Sequence, residues 1–475
     1  MRRCVSLVFL AALAAGCGDG GTDPVTYGAP SLVQVNGVTK PTGMVGMTVI
    51  LEGAELAEAR FGDVSFLGSD GAPVAAATSD WSRSYIVATV PAGTATSSKV
   101  WVTTDWGTTD SLDFTLVSGN TFSPSNINWT RTADLPQALQ GLGAAFVPVE
   151  YGEAKAKYVF TVGGAADVTN SATTAVFRGT VQESGAISAW DTGVTPLPSA
   201  RAYHATAAAT PYTAPIDTAT AAFLYTIGGV DAAGTTVPTV LYAAVALDGT
   251  IGAWQSAADL PAAVHSGSAV VYRGYLYVVG GADGQNAPQA SAYRAKVNAN
   301  GSLQPWQAIA GLPVATAHHA LVNFGPYLYV TGGDTSAVDP ALNGSSGKET
   351  AASYLARIDM RDGSAPSWGS VASPGKARSK HGIMSAGGSV VITSGIYSGQ
   401  AGSSENSYAE INPDGTLSSW GGATGSSTIQ TVLGYSVYNQ AAVSFVDATG
   451  TGHVVVLGGA NRAATGRASA GVVYY

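Results

Sequence analysis

Five of the chain's six histidines, His204, His265, His318, His319 and His381, fall at comparable places in a recurring pattern. Arg201 and Arg378 stand three residues before His204 and His381. Guanidinium groups make charged, bidentate hydrogen bonds to carboxylates at any physiological pH. A convergent His/Arg set can therefore bind an anionic sugar or a carboxylate. The same residues can instead brace neighbouring elements by hydrogen bonds, and both readings stay open. A metal site is disfavoured, because the histidines come from separate segments and lack the close spacing of zinc ligands. No carboxylate pair or nucleophile–base arrangement stands out for general acid/base chemistry, and no cofactor is expected.

The elements that must position these residues are announced by tryptophan. Trp129, Trp190, Trp254, Trp306, Trp368 and Trp420 are spaced 61, 64, 52, 62 and 52 residues apart. Between them, apolar strand-like runs end in Gly163-Gly164, Gly228-Gly229, Gly280-Gly281, Gly332-Gly333 and Gly458-Gly459, with Ser394-Gly395 as the weaker fifth marker. A Gly pair ending a strand allows a φ > 0 turn closed to other residues. Asp-Gly, Asn-Gly and Ser-Gly steps supply hairpin turns. A period of this length carrying strands and Gly pairs marks a β-propeller, and each Trp is expected to pack between neighbouring repeats. The final repeat has its Gly pair but no Trp strand after it, whereas the strand around Trp129 is spare. Sheet edges are rarely left open, so the N-terminal strand is expected to close the last repeat as its outer strand.

Leu135-Pro136, Leu197-Pro198, Leu260-Pro261 and Leu312-Pro313 start four repeats, and Ser373-Pro374 starts the fifth. With the Gly pairs and the Trp residues, this pattern resembles kelch repeats over residues 127–475. The resemblance implies a six-bladed propeller. The Leu-Pro steps and the Gly pairs then share one face, which also carries the polar loops that follow the glycines. The longest of these runs from Asp334 to Thr350. Loops on a rigid scaffold are where binding usually resides. Arg201, His204, His265, His319, Asp334, Arg378 and His381 are the candidate binding residues.

Upstream, residues 1–16 read as a signal peptide, with Arg2 and Arg3 before an apolar run too short to span a bilayer. Leu13-Ala14-Ala15-Gly16-Cys17 resembles a bacterial lipobox, which implies lipidation of Cys17 and attachment to a membrane of the cell envelope, the outer one for preference. Cleavage after Ala15 by an ordinary secretory route is the alternative. Residues 17–29 are a small, polar, flexible tether. Residues 30–117 carry short alternating strands. Gly46 to Gly53, Val64-Ser65-Phe66, Val90 to Gly93 and Val100-Trp101-Val102 resemble IPT/TIG domains, implying an Ig-like β-sandwich used as a spacer or interaction module. Residues 118–126 link the two units.

The whole chain is thus expected to be all-β, with almost no helix. Its formal charge of −9 argues against nucleic acid as a partner. Among kelch enzymes, galactose oxidase needs a Cys–Tyr cofactor, for which the mature chain would hold no Cys. The Asp-Gly turns do not follow sialidase Asp-box spacing. The sequence points to a lipid-anchored binding protein for a protein or glycan ligand. A carbohydrate-acting envelope enzyme resembling sialic-acid epimerases is the alternative.

Overall fold

The computed structural model describes residues 29–475 except 36–40, 44, 47, 57–61, 117–122, 152–153, 167–170, 211–219, 343, 360–361, 387, 400–402, 413, 424, 426, 447–451 and 462–466. The expected signal peptide, Cys17, the tether up to residue 28 and linker residues 118–122 lie outside the described residues. Among those described, the fold is all-β, and the one helix is a single short turn, Ile429–Leu433, capped by Thr428 and ended by Gly434. No described helix is long and apolar enough to cross a membrane.

The N-terminal unit has two sheets. One is ordered Ser31–Val35, Thr48–Ala54, Tyr85–Thr89, Ala77–Trp81; the other Thr42–Gly43, Leu112–Leu116, Ser97–Thr104, Gly62–Leu67, Pro73–Ala75, with Gly107–Thr108 beside Ser97–Thr104. Alternation does the work here. Val100 and Val102 are buried while Lys99 and Thr103 face solvent, so each sheet turns one apolar side inward. Val49, Leu51, Ile86 and Ala88 from the first sheet meet Val64, Phe66, Val100 and Phe114 from the second in a single core.

Among the described residues, the remainder forms six antiparallel four-stranded sheets and three small ones of two or three short strands. The first is Gly143–Tyr151, Ala154–Val162, Val176–Val181, Ile187–Asp191, and the second is Ala205–Ala209, Thr220–Ile227, Val240–Ala246, Gln255–Ser256. The third is Ser268–Tyr272, Tyr275–Val279, Ala292–Lys296, Gln307–Ile309, and the fourth is Ala320–Phe324, Tyr327–Thr331, Ser353–Arg357, Trp368–Ser370. The fifth is Gly382–Ala386, Ser389–Thr393, Asn406–Glu410, Gly421–Gly422. The sixth takes Ala441–Val446, Gly452–Leu457 and Val472–Tyr474 from the C-terminus and adds Thr130–Arg131. Thr130 pairs with Tyr474 and Arg131 with Val473.

The first strand of each sheet touches those of both neighbours, and the first and sixth sheets meet. The second strands are therefore covered on both faces. They read as continuous apolar runs rather than alternating ones: Tyr327–Thr331 and Ser389–Thr393 are buried throughout.

Six apolar clusters fill the gaps between successive sheets, and each takes one tryptophan. Trp254 packs between the first and second sheets, Trp306 between the second and third, and Trp368 between the third and fourth. Trp420 follows between the fourth and fifth, Trp129 between the fifth and sixth, and Trp190 between the sixth and first. Five of these indoles are only half-buried. They are held at the rim, where each Nε1–H donates to a carbonyl just past the outer strand of the preceding sheet: Trp190 to Ala133 (2.9 Å), Trp254 to Thr195 (3.1 Å), Trp306 to Ala258 (2.8 Å), Trp368 to Ala310 (2.8 Å) and Trp420 to Ala372 (2.7 Å). Trp129, at the closure, is 2% exposed, and its Nε1 has no partner among the described residues.

Tyrosines tie the lower ends together. Tyr225, Tyr277 and Tyr329 donate from second strands to the carbonyls of Gly301, Gly363 and Gly415, the hairpin glycines of the next sheet, at 2.5, 2.8 and 2.6 Å. The N-terminal unit contacts that same end. Ile50, Tyr85 and Val87 cluster with Phe324, Tyr272 donates its hydroxyl to the Glu52 carboxylate, and Arg357 pairs with Asp80 over the Tyr85 ring. The end bearing the Gly pairs is left for the loops.

The Gly pairs exist because of close approach as well as φ. Gly332 sits at φ +59°, and a Cβ there would stand 2.3 Å from the Arg378 carbonyl oxygen of the next sheet. Gly234 has φ +80° but open space around it. Gly332→Ala is expected to lose at least about 2 kcal/mol, since clash adds to the left-handed penalty, and Gly234→Ala about 1 kcal/mol. Urea unfolding of both variants decides, and equal losses would refute the packing argument.

Candidate functional site

Where each first strand begins, one residue adopts a left-handed backbone: Gly141 (φ 55°), Tyr203 (52°), Ser266 (53°), His318 (53°), Lys380 (55°) and Asn439 (52°). For a residue other than Gly this costs about 1–2 kcal/mol, so something must hold it. The holder is a closed circuit of hydrogen bonds. Tyr203 N–H donates to Gly141 O (2.7 Å), Ser266 to Tyr203 (2.7 Å), His318 to Ser266 (2.9 Å), Lys380 to His318 (2.9 Å), Asn439 to Lys380 (3.1 Å), and Gly141 to Asn439 (2.8 Å). A second circuit runs outside it. The N–H of Gly164, Gly229, Gly281, Gly333, Gly395 and Gly459 donates to the carbonyl of Arg201, Val264, Thr316, Arg378, Val437 and Leu139 respectively, at 2.7–3.2 Å. Together they fix the mouth of an axial cavity of about 200 Å³.

The seven sequence-selected residues all lie on this face, and the structure gives them different surroundings. Arg201 is 3% exposed; its Nη1 donates to Gly228 O (2.9 Å) and Thr239 Oγ1 (2.8 Å). Arg378 is 1% exposed; it donates to the Tyr397 hydroxyl and lies 4.4 Å from the centre of that ring. Burial lowers the pKa of both guanidiniums. His204, His319 and His381 lay their rings against Gly163, Gly280 and Gly332 of the preceding sheet, where an added Cβ would stand 2.6–2.8 Å from the imidazole. His381 Nε2 also meets Thr331 Oγ1 at 2.9 Å. Burial pushes His204 down to about 3 and His319 to about 4, and takes His381 well below the usual range.

His265 and Asp334 are placed differently. His265 Nδ1 is 3.0 Å from Ser266 Oγ, and its ring also bonds the Asn286 side chain. Asp334 accepts from His318 Nδ1 (2.9 Å) and from Ser346 Oγ (2.9 Å). Burial works to raise the Asp334 carboxyl, but His318, Ser346 and Lys380 outweigh it and hold the group below its usual range. His318 itself is pushed down to about 4 by burial.

Sequence reasoning passed over Lys380, which is 5% exposed. Its Nζ donates to the carbonyls of Leu342 (2.9 Å), Pro340 (3.1 Å) and Asp339 (3.4 Å), and Asn439 Nδ2 adds a bond to Pro340 O (3.0 Å). The longest loop is thereby drawn inward over the ring. Burial brings Lys380 to about 8. A signal for the ring positions did exist: Gly141, Tyr203, Ser266 and His318 each stand five residues after the proline of a Leu-Pro step. Beside the ring, the loops enclose a cavity of about 410 Å³, lined by Ser171, Asp231, Thr236, His265, Asn286 and Asp339 among others. No group of three or more His, Cys, Asp or Glu side chains among the described residues is placed to hold a metal ion.

No protein-family model matches the chain, and no curated protein matches it. Among solved structures it is similar to YjhT, at 14% identity over 71% of this chain and 95% of that one, with a TM-score of 0.46.

The buried imidazoles fix a pH dependence. His204, His318, His319 and His381 stay neutral when folded but titrate near 6.5 when unfolded. Their contribution is therefore complete above pH 6.5 and is lost as pH falls toward about 4, because only the unfolded chain binds the protons. Near pH 5 unfolding takes up about four protons, or about 5 kcal/mol per pH unit. Urea unfolding between pH 6.5 and 5 measures this slope, and His319→Gln is expected to reduce it by about one proton. A flat profile would contradict the neutral assignment.

Proposed function

We propose that this chain is a lipid-anchored binding protein of the bacterial cell envelope. In this reading an IPT/TIG-like sandwich precedes a six-bladed kelch-type propeller, and a protein or glycan binds on the glycine-pair face. One observation carries the proposal: two closed backbone circuits hold the variable loops on a single face around a cavity of about 410 Å³. The contacts of the N-terminal unit with Phe324 and Tyr272, at the opposite ends of the sheets, support it further. A rigid ring that presents adaptable loops and a largely preformed cavity suits recognition.

Two measurements test this. Ala232→Trp places an indole in the cavity from an exposed loop position, whereas Ala299→Trp makes the same change in an exposed hairpin at the opposite end. In a glycan array and an envelope pull-down, the first is expected to weaken ligand capture about tenfold or more, and the second to leave it unchanged. Equal behaviour of the two variants rules out the glycine-pair face. For the anchor, Cys17→Ser is expected to move the protein from the membrane fraction to the soluble one, because in this reading the other cysteine, Cys4, belongs to the signal peptide and Cys17 alone carries the lipid. Continued sedimentation after a salt wash would reject the lipobox.

A further inference from the structure

The loop from Asp334 to Thr350 belongs to the fourth sheet, between Tyr327–Thr331 and Ser353–Arg357. Its middle does not stay there. The Pro340 carbonyl accepts from Lys380 Nζ (3.1 Å), at the start of the fifth sheet, and from Asn439 Nδ2 (3.0 Å), at the start of the sixth. Lys380 Nζ also donates to Leu342 O (2.9 Å) and Asp339 O (3.4 Å). On their other side, Asp339 and Pro340 form part of the wall of the cavity of about 410 Å³. The same cavity is walled by Ser171 of the first sheet, Tyr203 of the second, and His265 and Asn286 of the third. One short segment thus bonds to two sheets and faces the loops of three more. In a closed ring of six sheets only the axis lies that close to all of them, so residues 339–342 cross the axis.

The fastening is separate from the ring itself. The inner circuit uses backbone groups alone, and Gly141 fills the place in the first sheet that Lys380 fills in the fifth. A side chain at φ 55° strains the backbone where Gly would not. The circuit gives no reason for a lysine there; the three carbonyls of the crossing segment do. Asp334, Asp339 and Glu349 favour the ammonium while burial opposes it, and at about 8 Lys380 stays charged at pH 7. Lys380 and Asn439 also line the axial cavity of about 200 Å³. The crossing segment is therefore layered over the ring, and the ring over that cavity. A further bond, Gly399 N–H to Ser345 Oγ (2.9 Å), ties the loop to the one after the fifth glycine position.

We propose that residues 339–342 are a strap, fastened by Lys380 and Asn439, that closes the axial cavity at the glycine-pair end. A ligand arriving on this face then meets the loop cavity, and the axial cavity is shut to it.

Hydrogen exchange of the purified full-length protein, read by mass spectrometry at pH 7, tests the fastening. Lys380→Met keeps a stem of similar length and removes the ammonium. The amides of Ala341 and Leu342 are expected to exchange at least about tenfold faster in it, the amount that one charge-assisted hydrogen bond supplies. Lys376→Met removes the same charge nearby, from an ammonium that meets Glu405 instead, and is expected to leave those amides unchanged. Equal rates in all three proteins, or equal acceleration by both variants, overturns the proposal. A second variant tests the closing role and decides alone if Lys380→Met fails to fold. Residues 337–345 are replaced by Gly-Ser-Gly-Ser. The base of the loop remains, because Asp334 bridges Glu349 and Thr335 N–H donates to Lys348 O at 3.1 Å. This protein is expected to keep its circular dichroism spectrum, while the ring amides of Tyr203 and Asn439 exchange at least about tenfold faster as water reaches them from above. Unchanged ring exchange, or loss of the fold on shortening the loop, overturns the strap.

Discussion

Everything on the glycine-pair face depends on one constraint: each sheet's backbone must bond to the next sheet's backbone, six times over, and the circuit must close. An inner chain of six hydrogen bonds links Gly141, Tyr203, Ser266, His318, Lys380 and Asn439, and an outer chain links each glycine pair to the following sheet. Neither circuit can form unless the inner residues turn left-handed and the glycines admit a carbonyl where a Cβ would stand. The cost of five left-handed residues other than Gly is met by bonds that would otherwise be orphaned donors and acceptors in a buried ring. Ser394, at φ 59°, is the one position where a side chain takes the first-glycine role.

The closure makes the ring stiff in one place and permissive in another. Between sheets, apolar clusters with one Trp each lock neighbours together, and Tyr225, Tyr277 and Tyr329 repeat the lock at the lower end. Each contact is between neighbours only, as in repeat proteins, but the pairing of Thr130–Arg131 with Val472–Tyr474 joins the two ends. Of the loops after the glycines, the one from Asp334 to Thr350 is tied to the ring through Lys380, which donates to Pro340 and Leu342.

The same economy decides the electrostatics of the face. Cations sit where backbone carbonyls need donors: Arg201 under Gly228, Lys380 under residues 339–342. A buried ammonium or guanidinium survives only when its donors are engaged, and buried Arg378 finds the Tyr397 hydroxyl instead. Carboxylates remain on the loops, where Asp231 and Asp339 each cap a turn with Oδ1.

Much of this was legible in the chain itself, since strands, hairpins and glycine pairs are local properties. A run such as Tyr275–Val279 is apolar because it is buried on both faces, Gly332 is glycine because of its own φ and its neighbour's carbonyl, and the spare Trp129 strand implied an unfilled edge. The histidine and arginine positions were also visible, and all fell on one face. Their surroundings were not. Arg201 and Arg378 stayed open to reading as ligand contacts or as braces, because most of the carbonyls and hydroxyls they meet lie 19–38 residues away along the chain. Lys380 gave no sign of reaching across to Pro340, 40 residues earlier. Sequence by itself determined the repeating elements and their order, because backbone dihedrals and burial act residue by residue. Tertiary structure alone decided which charges were spent on the protein's own backbone, because that depends on carbonyls brought together only when the ring closes.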